Sequence, residues 1–343
     1  MSERAGEQRY RRRGPSRRVR RRRTFVAVLA IVLGSVVTFL LVGSDDASTS
    51  KPRQSAGGAQ STTTVPARPV LLVTPSGVTV RVVGQSKSGW DVTTPCGRRA
   101  VVKSGRALSA IDVMIDPGHG GREVGAVAHG LKESQVNLQV AVELQRALAA
   151  KGLNAALTRT GDYRVPIATR AAIIKAAHPK LFVSVHHNGG DAAHHDGPGT
   201  EVYYQRRSAN SKRLAGLVWE DLYKRIKPFS SHWVGSSDAG AIFRMGSSGN
   251  DFYGMLRLTA DVPGVLTEAV YLSNASEAAL LKRAEFRQAE ADGIAHAIAR
   301  FLTSTDRGSG FKTPLVRSFS DPGGGGTANN CVDPKLERDG VRT

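Results

Sequence analysis

Residues 111–121 read IDVMIDPGHGG and join a predicted strand to a glycine-rich turn. Its first five residues, IDVMI, are apolar apart from Asp112, which is typical of a strand buried in a sheet. The run that follows, Asp116 to Gly121, begins where this predicted strand ends. In open α/β sheets, ligands bind beyond the carboxyl ends of the strands, so this run marks a candidate site.

Short apolar strands alternate with helices over residues 110–302. The helix after the glycine-rich run is predicted at 134–152, with Ser134 as its N-cap and Gly152 at its end. Further strands are expected at 154–158, 181–185, 200–204 and 263–272, and further helices at 170–178, around 209–225 and over 277–302. This alternation predicts an α/β fold with a mostly parallel sheet that helices cover on both faces.

The rest of the chain predicts several segments around this main domain. The expected regions are a cytoplasmic Arg-rich tail (1–23), a transmembrane anchor (24–43), a flexible linker (44–68), a small β-rich segment (69–109), the main domain (110–302) and a disordered tail (303–343). The linker and the final tail are polar and lack an apolar period, whereas 69–103 alternates short β-like runs with turn residues.

The N-terminal charge and the apolar run after it predict a membrane anchor. Residues 1–23 hold eleven Arg and two Glu, and residues 24–43 hold no charge. A helix of that length spans roughly 30 Å, the thickness of the hydrocarbon core, whereas the apolar part of a signal peptide is shorter. The Arg run then predicts a single-pass protein with its N-terminus in the cytoplasm and its main domain outside. Nucleic-acid binding is disfavoured despite the net charge of +19, since the tail contains a single aromatic residue, Tyr10.

The composition limits what kind of metal site the chain can build. Hydrophobic residues at 40% exclude a wholly disordered chain. The two cysteines, Cys96 and Cys331, are too few for a disulfide scaffold or a Cys-rich zinc module, so a metal site must use His and carboxylates. Whether these two cysteines pair or stay free is left open by the sequence.

Candidate ligands follow the ends of predicted strands. His119 follows the first strand, His186 and His187 follow 181–185, and Glu268 lies within the strand at 263–272. Glu133 precedes the predicted helix, where the helix dipole favours a carboxylate, and Glu123 is its rival. Two imidazoles and one carboxylate form the three-ligand zinc pattern that leaves a position open for water, and a further carboxylate can act as general base.

Five ordered runs carry a family resemblance: IDPGHGGREVGA (115–126), LKESQVNL (131–138), LTRTGD (157–162), LFVSVHHN (181–188) and VLTEAVYLSN (265–274). They resemble the zinc-dependent N-acetylmuramoyl-L-alanine amidases of the Amidase_3 type, which are cell-wall hydrolases. The resemblance covers about 110–302 and implies a zinc amidase catalytic domain. It implies His119, Glu133 and His186 as zinc ligands and Glu268 as the catalytic glutamate. The family cuts the amide between the lactyl group of N-acetylmuramic acid and L-alanine of the peptidoglycan stem peptide.

Other interpretations remain open at this stage. A degenerate amidase could act as a non-catalytic peptidoglycan-binding regulator, and a different zinc peptidase of peptidoglycan could use the same ligands. The sequence leaves the need for a protein activator open. His187 is expected to point away from the side of the strand that His186 occupies. His194, His195 and Asp196 form a second His/acid cluster, which we interpret as solvated loop residues.

Overall fold

The structure, a computed structural model, describes residues 69–189, 199–229, 239–313, 315–316 and 330–337. The expected cytoplasmic tail, anchor and linker lie outside these residues. Within the described ranges, no helix is both long enough and apolar enough to cross a membrane.

A small antiparallel sheet precedes the main body. Its strands are β1 (Leu71–Val73), β2 (Thr79–Ser86), β3 (Gly89–Thr93), β4 (Arg99–Val102) and β5 (Arg106–Leu108). They are ordered β4-β3-β2-β1-β5. Val80, Val92 and Val102 are fully buried on one face, because every second side chain of a strand points the same way.

The main body alternates strands and helices. Its strands are β6 (Val113–Pro117), β7 (Val127–Ala128), β8 (Leu131–Lys132), β9 (Ala155–Leu157), β10 (Leu181–Asn188), β11 (Glu201–Tyr204), β12 (Ala241–Ile242), β13 (Arg244–Met245), β14 (Gly264–Tyr271) and β15 (Leu315–Val316). Its helices are α1 (Glu133–Ala149), α2 (Ile167–Ala177), α3 (Ala209–Ile226), α4 (Gly254–Leu258), α5 (Ala275–Leu281) and α6 (Ala284–Thr303). The predicted strands and long helices are confirmed within a few residues, and the segment at 277–302 forms two helices.

The central sheet brings the predicted site residues to one edge. It has six strands in the order β12-β11-β14-β10-β6-β9, and every neighbouring pair is parallel except β11 with β14. Val185 of β10 is in register with Pro117 of β6, and His186 is in register with Glu268 of β14. The carboxyl ends of three adjacent strands therefore deliver His119, His186 and Glu268 to the same region.

Helices pack on both faces of this sheet, which confirms the predicted layering. On one face, α1, α3 and α6 bury side chains such as Val140, Leu217 and Ile294 against the strands. On the other face, α2 and α4 contribute Ile173 and Leu256. Fully burying each such side chain stabilises the fold by roughly 1.5–3 kcal/mol, so the strand ends that carry the site are held by two apolar layers.

The start of α1 differs from the prediction. The helix begins at Glu133, and Ser134 is not its N-cap. The N–H of Glu133 donates to the carbonyl of Ala126 at 2.9 Å, and that of Ser134 donates to Val124 at 3.0 Å. Backbone carbonyls of the preceding loop thus satisfy the first helical N–H groups, so no side-chain cap is needed there.

The C-terminal segment also differs from the prediction of disorder in the parts that the structure describes. The N–H of Ala241 donates to Gly310 at 2.8 Å, and that of Lys312 donates to Ala241 at 3.1 Å, so residues 310–312 extend the sheet beyond β12. Further along, Cys331 forms a disulfide with Cys96, and Asp333 accepts a 2.7 Å hydrogen bond from the N–H of Cys96. The polar composition suggested disorder because it does not reveal such pairing with distant residues.

Candidate active site

His119 and His186 approach each other because a glycine lies between them. His119 sits just after β6 with a positive φ of 59°, and its ring centroid lies 5.0 Å from that of His186. A Cβ at Gly118 would lie 2.2 Å from Cε1 of His186. Any larger residue at position 118 would therefore push the His186 ring out of its place.

Glu133, the first residue of α1, connects the two imidazoles. Its Oε1 lies 3.2 Å from Nε2 of His119 and 3.1 Å from Nδ1 of His186. Its Oε2 accepts a 2.9 Å hydrogen bond from the N–H of Ala126, which fixes the carboxylate plane. A Cβ at Gly125 would lie 2.3 Å from Oε2, so this position also requires glycine.

These three residues form a group that could hold a metal ion. One potential ligand atom from each of His119, Glu133 and His186 lies within 4.8 Å of the others. The rival Glu123 contacts only one of the imidazoles: its Oε1 is 3.4 Å from Nδ1 of His119, while Arg164 Nε lies 3.2 Å from its Oε2. The donor set of two imidazoles and one carboxylate fits zinc.

The protonation of this group reflects its buried charges. Burial opposes ionisation of Glu133, but hydrogen bonds from His119 and His186 and their charges hold its pKa well below the usual value. For His119, burial lowers the pKa, but Glu123 and Glu133 outweigh it and raise the pKa to about 9. Burial lowers the pKa of His186, and Glu133 only partly offsets this effect. An ionised carboxylate between two imidazoles is the arrangement that a cation would stabilise.

Glu268 lies beside this group on β14. Its side chain is only 7% exposed, and its Oε2 has no hydrogen-bond partner among the described residues. Burial raises the pKa of Glu268 well above its usual value, and the charges of Glu133 and Glu201 raise it further. Perturbed carboxylates of this kind are suited to proton transfer.

A single cavity of about 880 Å³ is lined by all four predicted residues, His119, Glu133, His186 and Glu268. This volume lies within the range of ordinary small-molecule sites. The structure therefore brings together all four residues that the sequence analysis singled out. The second predicted cluster, His194 with His195 and Asp196, lies outside the described residues.

The imidazole of His187 forms a buried network that could not be predicted from the sequence. Its Nδ1 lies 2.7 Å from Oδ1 of Asn137, and its Nε2 lies 3.2 Å from Oε2 of Glu290. Asn137 in turn donates to Oε1 of Glu133 at 3.2 Å. Asn137 is in one of the quoted motifs, but Glu290 lies on α6, and only the fold brings it near.

A second buried network, around Asp116, holds the loop that carries His119. Asp116 accepts hydrogen bonds from Ser184 at 2.8 Å and from Arg170 at 2.8 Å, and Arg170 also donates to the carbonyl of His119. Arg159, from the LTRTGD run, donates to the carbonyl of Gly118 at 2.8 Å. Asp116, Ser184 and Arg159 lie in the quoted runs, but Arg170 lies outside them, so the sequence pattern did not reveal this supporting role.

Comparisons with known proteins agree with this geometry. Residues 113–300 match the Amidase_3 family model, described as N-acetylmuramoyl-L-alanine amidase. The chain is 35% identical over 227 residues to the endolysin of Bacillus phage SPP1, which covers 62% of this chain and 78% of that protein. It is 33% identical over 184 residues to the N-acetylmuramoyl-L-alanine amidase LytC of Bacillus subtilis, covering 53% of this chain and 34% of LytC.

A solved structure shows the same similarity. Cwp6 from Clostridium difficile matches with a TM-score of 0.51 and 26% identity, covering 59% of this chain and 32% of that one. The family match spans more than half of the chain and includes the strands and helices that carry His119, Glu133, His186 and Glu268. The chain therefore belongs to the N-acetylmuramoyl-L-alanine amidase family of peptidoglycan hydrolases.

Proposed function

We propose that this chain hydrolyses the amide bond between N-acetylmuramic acid and L-alanine in peptidoglycan, with zinc held by His119, Glu133 and His186. The observation that carries the proposal is the meeting of these three residues with buried Glu268 in one cavity. The matches to the SPP1 endolysin and to LytC support the same activity.

The chemistry of the donor set supports zinc. Two imidazole nitrogens and a carboxylate oxygen are the ligands of many hydrolytic zinc sites, which keep one position for water or substrate. When bound, zinc polarises a carbonyl and makes water a stronger acid. Glu133 is ionised in this arrangement, because its pKa lies well below the usual range despite its burial.

Glu268 is the acid–base residue in this proposal. Glu268 pairs with His186 in the register of β14 and β10, and it lines the same cavity. It takes a proton from the attacking water and passes that proton to the leaving nitrogen of L-alanine. Burial, with the charges of Glu133 and Glu201, raises the pKa of Glu268, which allows the carboxyl to hold the proton between the two steps.

Digestion of purified sacculi by the full chain tests the activity. We expect glycan with free lactyl carboxyl groups and stem peptides that begin at L-alanine, as identified by mass spectrometry. A chelator should abolish the reaction and zinc should restore it. Loss of terminal D-alanine alone would instead indicate a peptidase, and binding of sacculi without cleavage would indicate a regulator; either result contradicts the proposal.

Glu268→Gln tests the acid–base role. Because general acid–base catalysis contributes typically 10²–10⁴-fold, we expect a loss of about that size with zinc still bound. Glu285→Gln is the matched control, because Glu285 is exposed on α6 and pairs only with nearby Arg283 at 2.8 Å. Full turnover by Glu268→Gln would remove Glu268 from this role.

We also propose that the catalytic domain works outside the cytoplasm, held by the anchor expected at 24–43. The Cys96–Cys331 disulfide supports this, because disulfides persist in oxidising compartments. Treating intact cells with a protease should digest the catalytic domain and leave a membrane-bound N-terminal fragment. Protection of the domain in intact cells would contradict the proposed orientation.

A further inference from the structure

Arg244 is a buried arginine in the wall of the active-site cavity. The residue is 9% exposed and lines the same cavity as His119 and Glu268. Its Nη1 donates to the hydroxyl of Tyr253 at 3.2 Å, whereas its Nε and Nη2, both buried, have no hydrogen-bond partner among the described residues. Across the ranges that the structure describes, no carboxylate forms an ion pair with Arg244.

The surrounding chain holds the guanidinium in a defined orientation. Its Cζ lies 3.7 Å from the centroid of the Phe252 ring, which therefore covers one face. The N–H of Phe252 donates to the carbonyl of Arg244 at 2.9 Å, which ties the ring to β13. With one face stacked and Nη1 engaged by Tyr253, the Nε–Nη2 edge is the part of the group left without a partner.

That edge matches one class of ligand. Two parallel N–H groups of a guanidinium fit the two oxygens of a carboxylate, and Arg is favoured wherever such two-point recognition is needed. A buried charge without a partner is costly, so an arriving anion relieves that cost. The charge of Arg244 acts on nearby Glu268, but among the described residues no hydrogen bond or ion pair joins the two side chains, and Oε2 of Glu268 has no partner.

The substrate offers a carboxylate on one side of the scissile bond only. The lactyl carboxyl of N-acetylmuramic acid is consumed in the amide, so the glycan side carries hydroxyl and acetamido groups. The peptide side carries free carboxylates, and the nearest belongs to the γ-linked glutamate after L-alanine. We infer that Arg244 binds this carboxylate and so distinguishes stem peptides whose second residue is a free glutamate from those in which it is amidated. This inference rests on the proposed amidase function.

The test uses two muropeptides that are identical except for D-glutamate or D-isoglutamine at the second position. The full-length wild-type chain should cleave the free-carboxylate form with a kcat/KM about 10- to 100-fold higher, the range of a hydrogen-bonded charged group. Arg244→Gln should remove this preference mainly by raising KM for the free-carboxylate form. Arg244→Lys should keep part of the preference, since lysine retains the positive charge but lacks the two parallel N–H groups of the guanidinium.

Arg257→Gln is the matched control. Arg257 also lines the cavity, but it is exposed, and its Nη1 is already bound to the carbonyls of Asp251 and Phe252 at 2.7 and 2.9 Å. Its substitution removes a positive charge near the same site, so loss of the preference in this variant as well would indicate a general charge effect and overturn the inference.

Two results would overturn the assignment while leaving the amidase activity intact. One is equal kcat/KM of the wild type for both muropeptides, and the other is an equal loss for both in Arg244→Gln, as expected if Arg244 only packs against Phe252. Failure of the wild type to cleave either muropeptide would instead count against the proposed function.

A binding measurement keeps the inference testable without turnover. Calorimetry should show that L-alanyl-D-glutamate with its γ-carboxyl blocked as a methylamide binds the wild type more tightly than the matching D-isoglutamine compound, by about the same 10- to 100-fold. Equal affinities would overturn the inference. If Arg244→Gln fails to fold, as thermal unfolding would reveal, Arg244→Lys and the two ligands on the wild type still decide the question.

Discussion

Two neighbouring groups of polar side chains meet at the end of β10. One group leaves a space between its nitrogen and oxygen atoms, whereas the other is joined by hydrogen bonds between its own members. The cavity group, His119, Glu133 and His186, gathers its nitrogen and oxygen atoms around one space. The buried group, Asn137, His187 and Glu290, is joined by its own hydrogen bonds of 2.7 and 3.2 Å, and only Oε1 of Glu290 is left without a partner among the described residues of this group. Similar residue types thus form an open donor set at the cavity and a hydrogen-bonded structural network next to it.

The difference comes from neighbours rather than from composition. Glycines at 118 and 125 leave room around the cavity group, where a Cβ would lie 2.2–2.3 Å from an imidazole or carboxylate atom. Behind the strand, α6 presses Glu290 against His187, and both are essentially inaccessible. Asn137 links the two groups by donating to Glu133, so the hydrogen-bonded network orients the open donor set.

The largest expected effect separates the two adjacent histidines. His186→Ala should lower kcat/KM on the order of 10³-fold, because loss of zinc removes several kcal/mol of transition-state stabilisation. Metal analysis should show less than one zinc per chain, while thermal unfolding of the metal-free chain should change little. An active, zinc-replete His186→Ala protein would contradict the division between the groups.

The link between the groups should appear in metal affinity. Asn137→Leu removes the hydrogen bond to Glu133, and the loss of such supporting contacts typically weakens metal binding about 10- to 100-fold. Competition with a chromophoric chelator measures the affinity. Gln145→Leu is the control on the same helix, since Gln145 donates only to the carbonyl of Ala155 at 2.8 Å. An unchanged zinc affinity in Asn137→Leu would mean that the networks are independent.

The hydrogen-bonded network should matter for stability. His187→Leu leaves Glu290 buried without its imidazole, and an unsatisfied buried group costs about 1–3 kcal/mol. Chemical denaturation of the metal-free chains measures the free energy of unfolding, which should be lower for His187→Leu than for His186→Leu. The reverse order, with His186→Leu the less stable, would show that the assignment of roles to the two histidines is wrong.

Glu277 is a buried carboxylate outside both groups, and it shows what burial without a nearby imidazole does to a carboxyl group. Burial raises the pKa of Glu277 to about 8, although the N–H of Tyr271 donates to it at 2.6 Å. The folded chain therefore keeps a proton that the unfolded chain has lost, so the free energy of unfolding should fall as pH rises from 4.5 to about 8. The slope from this group is at most about 1.4 kcal/mol per pH unit.

Glu277→Gln isolates this contribution, because the amide oxygen can still accept the N–H of Tyr271. Urea denaturation across this pH range should give a shallower decline for Glu277→Gln than for the wild type. Identical pH profiles would show that Glu277 ionises normally despite its burial.

The sequence predicted the parts of this molecule that depend on local pattern. Apolar runs predicted the strands. The positions of His119, His186 and Glu268 after or near the end of these strands predicted that they meet, because parallel strands bring their carboxyl ends together. It could not predict Glu290 beside His187, which are 103 residues apart, or Arg244 in the cavity wall. The N-cap at Ser134 was wrong because loop carbonyls, invisible to a local pattern, satisfy the helix start.

The disulfide between Cys96 and Cys331 joins residues 235 positions apart and encloses the whole catalytic body in one covalent ring. A single proteolytic cut anywhere within that ring would leave the two pieces attached to each other. Such a nicked molecule would migrate as one species on a gel until a reductant separated its fragments.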